Sequence, residues 1–312
     1  MDVLMVPRLD DEGLPDDDIE PLFDPMAELD VRIRALYALK ERYQKTKEGV
    51  KLLFAALPTT DSVLLQHELL YNVGQCGLED AVPQLIHVAS NAELLDVVTR
   101  HEAIEAMGAI GSAACVPFLQ MLMQTSTEAP IRESCDLALR RLQTLATEGA
   151  RGVAGPPSCH FTSVDPSPPF HDTKTFVELR QILLDESAPL WERYRAMFTL
   201  RNLGTSEAVE VLCVALLNDT SSCLFRHEVA FVLGQLEHSA SEEALSRCVA
   251  DRNEHPMVRH EAAEALGALA VPSSLAVLSQ FAEDRNALVR DSCVVGLEMH
   301  KYWSAFRPAT DE

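Results

Sequence analysis

The chain has 312 residues, of which 47% are hydrophobic and only 6% aromatic, and its net charge is −22 at neutral pH. This composition is typical of a helical protein and excludes a β-sandwich or a disordered chain. The negative charge argues against nucleic acid and anionic lipid as partners and favours basic ones.

The apolar runs and the cysteines together predict the cellular compartment of the protein. No uninterrupted apolar run of about 18 residues occurs, so we expect no membrane span. The first residues, "MDVLMVPRLDDEG", lack a basic region followed by an apolar core, so we expect no secretory signal. The eight cysteines form no CxxC pair and lie among small apolar residues, as buried thiols do. A reducing, cytoplasmic location is therefore predicted.

In chain order, an acidic segment comes first, and residues 1–20 are predicted to form an N-terminal extension. A helical pattern that recurs every 32 to 34 residues then fills 21–146, the predicted N-terminal arm. Residues 147–173 are rich in Pro, Gly and Ser and are predicted to be a linker. The same helical pattern returns in 174–312, the predicted C-terminal arm.

Each arm holds four copies of the pattern. The second helix of each copy is predicted at 31–39, 65–74, 99–108, 131–139, 192–200, 225–234, 258–267 and 289–297. A period near 33 with two amphipathic helices per copy indicates a helical solenoid, and the ankyrin and tetratricopeptide signatures are missing. The predicted fold is therefore an all-α solenoid of eight HEAT-like helical-hairpin repeats, in two four-repeat arms with pseudo-twofold symmetry. Glycines are predicted near four helix ends, at Gly74, Gly108, Gly234 and Gly267.

Four His-Glu pairs recur at one register of this pattern, far more than composition predicts by chance. They fill the second and third repeats of each arm and are His67-Glu68, His101-Glu102, His227-Glu228 and His260-Glu261. A single pair of this kind is ordinary helix chemistry. Four in register indicate function, because a Glu on a packing face is costly to bury without a positive charge beside it.

Helix geometry predicts a metal as that positive charge. Stacked helices lie about 8–10 Å apart, so imidazoles of neighbouring repeats can meet on one ion. Two imidazoles with one carboxylate suit oxygen-activating Fe(II), while the lack of thiolates argues against structural zinc. The HExxH signature of helix-borne zinc proteases is absent, since Tyr71, Glu105, Phe231 and Glu264 stand four residues after the histidines. Spacing alone leaves one dinuclear centre or two mononuclear sites open.

Several stretches resemble the deoxyhypusine hydroxylase family. They are "HELLYNVGQ" (67–75), "HEVAFVLGQ" (227–235), "HPMVRHEAAEALGA" (255–268) and "SVDPSPP" (163–169). The resemblance covers the chain after about residue 20, and all four His-Glu pairs are intact. It implies an iron monooxygenase that uses dioxygen and an external reductant to hydroxylate deoxyhypusine on eukaryotic translation initiation factor 5A.

The same resemblance implies roles for single residues. His67, His101 and Glu102 would hold one iron, and His227, His260 and Glu261 the other. Glu68 and Glu228 would bind the substrate amine. We further expect a monomer that binds neither nucleic acid nor membrane.

Glu105 and Glu264 stand one turn after His101 and His260 and are predicted either to orient those imidazoles or to be exposed helix residues. The remaining histidines are predicted to lie at the surface or in turns: His87, His160, His171, His238, His255 and His300. Two other functions stay open, a HEAT-like scaffold that binds a partner without chemistry, and a zinc or manganese hydrolase that uses the same ligands.

Overall fold

The computed structural model describes residues 17–154 and 160–306. It divides into two compact units, of which the first ends at Val153 and also takes in Ser163–Pro166. The second takes in Ala154–Thr162 and continues from Ser167. No strand occurs in these ranges, so the predicted all-α class is confirmed. None of the helices that the structure describes has the length and apolar character needed to cross a membrane.

The N-terminal unit is built from hairpins of consecutive helices. Its helices are α1 (Leu29–Tyr43), α2 (Lys47–Ala56), α3 (Val63–Cys76), α4 (Val82–Ser90), α5 (Val97–Ile110), α6 (Val116–Thr125), α7 (Ala129–Glu148) and the short α8 (Ala150–Val153). Helix α2 packs on α3, α4 on α5 and α6 on α7, while α3, α5 and α7 pack side by side. The third helix of that row runs to Glu148 and so enters the predicted linker.

The C-terminal unit repeats this plan with four hairpins. Its helices are α9 (Phe176–Leu184), α10 (Leu190–Leu203), α11 (Ser206–Asn218), α12 (Cys223–Leu236), α13 (Glu242–Ala250), α14 (Pro256–Leu269), α15 (Ser274–Phe281) and α16 (Ala287–Phe306). Helices α10, α12, α14 and α16 pack side by side, and each packs on the helix before it in sequence. These four, and α3, α5 and α7 of the N-terminal unit, are called the inner helices, and each set is an inner row. Stacking of HEAT-like hairpins, as predicted, is thus found within each unit.

The first repeat departs from the predicted hairpin in the described part of the chain. Its leading element is a single 3₁₀ turn, Glu20–Phe23, which packs against α1. Proline is tolerated at the start of this turn, whereas Pro25 disfavours helical geometry at the residue before it. Ile19, inside the predicted extension, is fully buried. Residues 1–16 of that extension lie outside the described residues.

Buried arginines tie the α4–α5 and α13–α14 hairpins together. Arg100 Nε donates to the Ala89 carbonyl at 3.2 Å, and Arg259 Nε donates to the Val249 carbonyl at 2.9 Å. Each guanidinium also meets a carboxylate from the following loop, as in the 2.8 Å pair of Arg259 and Asp284. These two arginines directly precede His101 and His260, so they fix how α5 packs on α4 and how α14 packs on α13.

Four glycines allow the inner helices to approach closely. A Cβ built on Gly74 would lie 2.8 Å from Ala106 Cα, and one on Gly267 would lie 2.7 Å from Gly296 Cα. Gly108 and Gly234 are nearly as crowded, by Ala138 and Ala265. All four lie inside their helices, two residues before the last one. They thus lie near helix ends, as predicted, and their smallness serves the contact with the neighbouring helix.

The cysteines agree with the predicted buried thiols. The seven in the described ranges are free, and five of them are buried. Burial raises the pKa of Cys135 and of Cys293 to about 12. At neutral pH these groups are therefore unreactive thiols. Cys159 lies outside the described residues.

Candidate metal centre

The four His-Glu pairs occupy one place on four matched helices. Helices α3, α5, α12 and α14 each have 14 residues and begin four residues before the histidine. Their starts are fixed by side-chain caps: Ser62 accepts from Leu65 N, Asp96 from Val98 N, Ser222 from Phe225 N and His255 from Met257 N. Each pair therefore lies one turn into its helix.

In the N-terminal unit, α3 and α5 bring together the three predicted metal ligands. His67, His101 and Glu102 are all buried, and one ligand atom from each lies within 4.8 Å of the others. The two imidazole centroids are 5.6 Å apart. His67 Nε2 lies 3.2 Å from Glu102 Oε2. Residues 34 positions apart in the chain thus form one compact group.

The C-terminal unit reproduces this arrangement on α12 and α14. The His227 and His260 rings are 5.3 Å apart between centroids. His227 Nε2 lies 3.3 Å from Glu261 Oε2, which matches the His67–Glu102 pair. The three ligand atoms within 4.8 Å of one another belong here to His260, Glu261 and Glu264. Glu264 therefore lies close to this group, whereas the sequence had left open that it is an exposed helix residue.

The electrostatics of the N-terminal group favour a cation. Burial by itself would lower the pKa of His67. The carboxylates of Glu102 and Glu68 outweigh this effect and hold the pKa of that imidazole well above its usual range. The group therefore attracts positive charge, which either a proton or a metal ion can supply.

The donor sets fit a metal ion. Ligand atoms on one ion with bonds of about 2.1 Å lie at most about 4.2 Å apart, so a small inward movement of the side chains is enough. Both groups contain imidazole nitrogen and carboxylate oxygen and no thiolate. That set suits iron, zinc or manganese bound with open coordination positions.

The two carboxylates one turn further along differ between the units. His260 Nδ1 lies 3.0 Å from Glu264 Oε1, within hydrogen-bonding distance. His101 Nδ1 lies 3.7 Å from Glu105 Oε1. Glu264 Oε1 also accepts a hydrogen bond from Ser292 Oγ of α16 at 3.2 Å. The histidine and the carboxylate one turn later are thus within hydrogen-bonding distance in the C-terminal unit and farther apart in the N-terminal unit.

Glu68 and Glu228, the predicted substrate residues, stand beside the first histidine of each unit. Glu68 is half-buried, and its Oε1 lies 3.5 Å from His67 Nδ1. Glu228 is 3% exposed. Neither residue belongs to a three-ligand group within one unit. Both are therefore placed next to the metal-competent groups without forming part of them.

The structure corrects one expectation and adds one residue. His300, predicted at the surface or in a turn, is buried in α16 with Nε2 2.9 Å from the Val271 carbonyl. Ser292 was not predicted from the sequence. Its signal was the Ser-Cys dipeptide that "IRESCDLAL" and "VRDSCVVGL" share at one register, which histidine-centred reasoning passed over.

Comparisons with known proteins agree with this architecture. The HEAT-repeat profile matches residues 50–140 and 214–298, and the PBS lyase HEAT-like repeat matches 192–218. Deoxyhypusine hydroxylase of Homo sapiens is 44% identical over 199 residues, which is 63% of this chain and 62% of that protein. The Schizosaccharomyces pombe enzyme is 39% identical over 190 residues, 59% of each chain. These alignments span about three fifths of the relatives' length.

A solved structure extends the likeness. The structure of human deoxyhypusine hydroxylase in complex with glycerol matches with a TM-score of 0.84 at 42% identity, covering 91% of this chain and 94% of that one. Together with the repeat profiles, which cover more than half of the residues, it places the chain in a class. The protein is a HEAT-repeat protein. Within that class it belongs to the deoxyhypusine hydroxylase family.

Proposed function

We propose that this protein is a deoxyhypusine monooxygenase that converts the deoxyhypusine side chain of eukaryotic translation initiation factor 5A into hypusine. The observation that carries the proposal is the recurrence of one buried group, two histidines and a carboxylate from neighbouring inner helices, in each unit. A scaffold that only binds a partner has no need for such groups in its interior.

The metal that we propose is iron, two ions per chain. His67, His101 and Glu102 would hold one, and His227, His260 and Glu261 the other. Two imidazoles and a carboxylate with open positions form the set that oxygen-activating iron proteins use. Bound and reduced iron would supply the activation of dioxygen that an unactivated C–H bond requires.

The reaction balances with an external two-electron reductant. One oxygen atom of O2 enters a C–H bond of the side chain and becomes its hydroxyl group. The other leaves as water and takes up two electrons and two protons. We propose no residue of this chain as the electron donor, because its described cysteines are free thiols whose burial suits packing.

Glu68 and Glu228 would bind the cationic side chain. Deoxyhypusine carries a long diamine, and a buried ammonium needs carboxylates that are not bound to metal. Both glutamates adjoin a metal-competent histidine in the sequence and lie apart from the three-ligand groups. By holding the amine they would fix which methylene faces the metals, and the burial of Glu228 would keep bulk water from competing there.

The rest of the chain supports the encounter with a basic protein. A net charge of −22 raises the local concentration of a positively charged partner loop. We propose that the protein acts in the cytoplasm as a monomer and binds neither nucleic acid nor membrane.

The test is direct. Full-length protein purified from iron-replete cells is analysed for metal and then incubated with deoxyhypusine-containing initiation factor 5A, O2 and a reductant. We expect about two irons per chain, because the two histidines and one carboxylate of each unit form a half-site for one ion. We also expect mass spectrometry to show one added oxygen atom on the modified lysine. A folded, metal-free protein without product would favour the scaffold, and zinc or manganese with hydrolysis would favour the hydrolase.

A further inference from the structure

We infer that Ser292, Glu264 and His260 form a hydrogen-bonded chain that pre-orients the metal half-site of the C-terminal unit, and that this half-site binds its metal more tightly than the half-site of the N-terminal unit. Ser292 is then a positioning residue that acts through Glu264. The inference rests on the proposed function, because it concerns the same metal ligands.

The chain in the C-terminal unit is continuous. Ser292 Oγ donates to Glu264 Oε1 at 3.2 Å, and the same oxygen lies 3.0 Å from His260 Nδ1. Ser292 and His260 are both 0% exposed, so the donor groups at the two ends of this chain are shielded from water. When the carboxylate accepts a hydrogen bond from Nδ1–H, the tautomer is fixed, and Nε2 is the nitrogen that presents its lone pair to a metal.

The equivalent hydrogen-bonded chain is incomplete in the N-terminal unit. Ser134 is the sixth residue of α7, as Ser292 is of α16, and it is also 0% exposed. Its hydroxyl has no hydrogen-bond partner within the described ranges. The distance from His101 Nδ1 to Glu105 Oε1 is 3.7 Å, against 3.0 Å in the other unit. The same residue types are present in both units, but the serine takes part in the chain only in the C-terminal unit.

Unequal orientation has a thermodynamic consequence. A ligand that already holds its binding geometry loses less conformational freedom when the metal enters. Removal of an outer partner of a metal-binding histidine costs about 10- to 100-fold in metal affinity. We therefore expect two binding steps of different strength when the metal-free protein is titrated.

Glu264 has one competing role. Because its carboxylate lies within 4.8 Å of ligand atoms of His260 and Glu261, it could coordinate the ion directly. A direct ligand and an orienting partner differ in how they respond to Ser292. Loss of the serine hydroxyl loosens an orienting carboxylate but leaves a directly coordinating one held by the metal.

The experiment is an anaerobic titration of the metal-free, full-length protein with Fe(II) in the presence of a competing chelator. His260→Ala and His101→Ala assign the two steps, since the first should remove the tight step and the second the weak one. We expect Glu264→Gln to weaken the tight step by about tenfold or more and Ser292→Ala to weaken it by a smaller factor. Ser292→Thr, which keeps the hydroxyl, should restore it.

The matched controls are Glu105→Gln and Ser134→Ala, which should leave the tight step unchanged. Circular dichroism and thermal unfolding of each metal-free variant verify the fold. Equal affinity at both half-sites, or equal effects of Ser292→Ala and Ser134→Ala, would overturn the inference while leaving the two-iron proposal intact. Loss of all binding in Glu264→Gln with no effect of Ser292→Ala would make Glu264 a ligand and also overturn it. A wild-type protein that binds no Fe(II) would remove both proposals together.

Discussion

The two side chains of a His-Glu pair make different contacts, although they belong to the same helix turn. His67 faces Glu102 of the next inner helix through Nε2, while Glu68 approaches the other ring nitrogen at 3.5 Å. The sequence predicted that the pairs share a register, because repeats align without coordinates. It could not predict that Glu264 approaches its histidine more closely than Glu105 does, because that depends on side-chain orientation and on a serine from another helix.

Replacing a ligand histidine should remove metal from one unit only. In His67→Ala the N-terminal group keeps a single imidazole, so we expect the protein to lose about half of its bound iron. We also expect it to lose product formation. Iron per chain is measured after purification. The control is His87→Ala, since His87 is exposed on α4 and should keep the full iron content. Unchanged iron in His67→Ala would contradict the ligand assignment.

Replacing a substrate carboxylate should separate binding from metal content. Glu68→Gln and Glu228→Gln keep side-chain size but remove the charge that would meet the substrate ammonium. Hydrogen bonds to charged groups contribute about 1.5–3 kcal/mol, so we expect KM to rise about 10- to 100-fold while iron stays bound. Steady-state kinetics beside metal analysis provide the readout. Glu48→Gln, at an exposed position of α2, is the control, and loss of iron in Glu68→Gln would make Glu68 a ligand instead.

At the scale of helices, the site depends on how closely the inner row packs. The glycine seven residues after each site histidine lets the next helix approach, with Gly74 against Ala106 and Gly267 against Gly296. The sequence predicted these helices and their register from apolar spacing. It placed the glycines near helix ends, as observed, but could not predict their contact with the next helix, because that depends on where the neighbouring helix lies. The capping glycine after α3 is Gly77, with φ +67°.

Gly74→Ala should therefore disturb metal binding more than Gly77→Ala does. The added methyl group at position 74 meets Ala106 Cα at 2.8 Å and forces α3 and α5 apart, at a cost of about 1–3 kcal/mol despite alanine's better helix propensity. At position 77 nothing lies within 4 Å, so the cost there is local backbone strain of about 1–2 kcal/mol. Thermal unfolding should show that both variants lose stability. Iron titration should show a weaker N-terminal half-site only in Gly74→Ala, and equal iron affinity in the two variants would contradict this account.

At the scale of the whole molecule, the repeats made the fold predictable, but the net charge did not decide the function of the protein. Period and register specified hairpins, and the family likeness gave those hairpins a chemistry. The single 3₁₀ turn that opens the first repeat was not predicted, because its prolines interrupt a pattern read from the later repeats. Net charge alone fitted solubility and a cationic substrate equally well.

The proposed role of the charge predicts a salt dependence. If a net charge of −22 steers a basic substrate, kcat/KM should fall steeply as ionic strength rises from about 0.05 to about 0.5 M. At the higher ionic strength the Debye length is so short that salt screens the attraction between the protein and a substrate that has not yet made contact. The turnover rate at saturating substrate should change far less, since encounter no longer limits it. A kcat/KM that is independent of salt would show that the surface charge serves solubility alone.

The spacing of the ligands along the chain bears on how the protein is made. Glu102 follows His67 by only 35 positions, and Glu261 follows His227 by 34. Each half-site is thus complete once two adjacent hairpins exist, and contacts of such short sequence separation form quickly. During synthesis, the emerging polypeptide can assemble the first half-site while the ribosome is still translating the second. Under the proposed function, metal binding to the first half-site therefore needs no residue of the second unit.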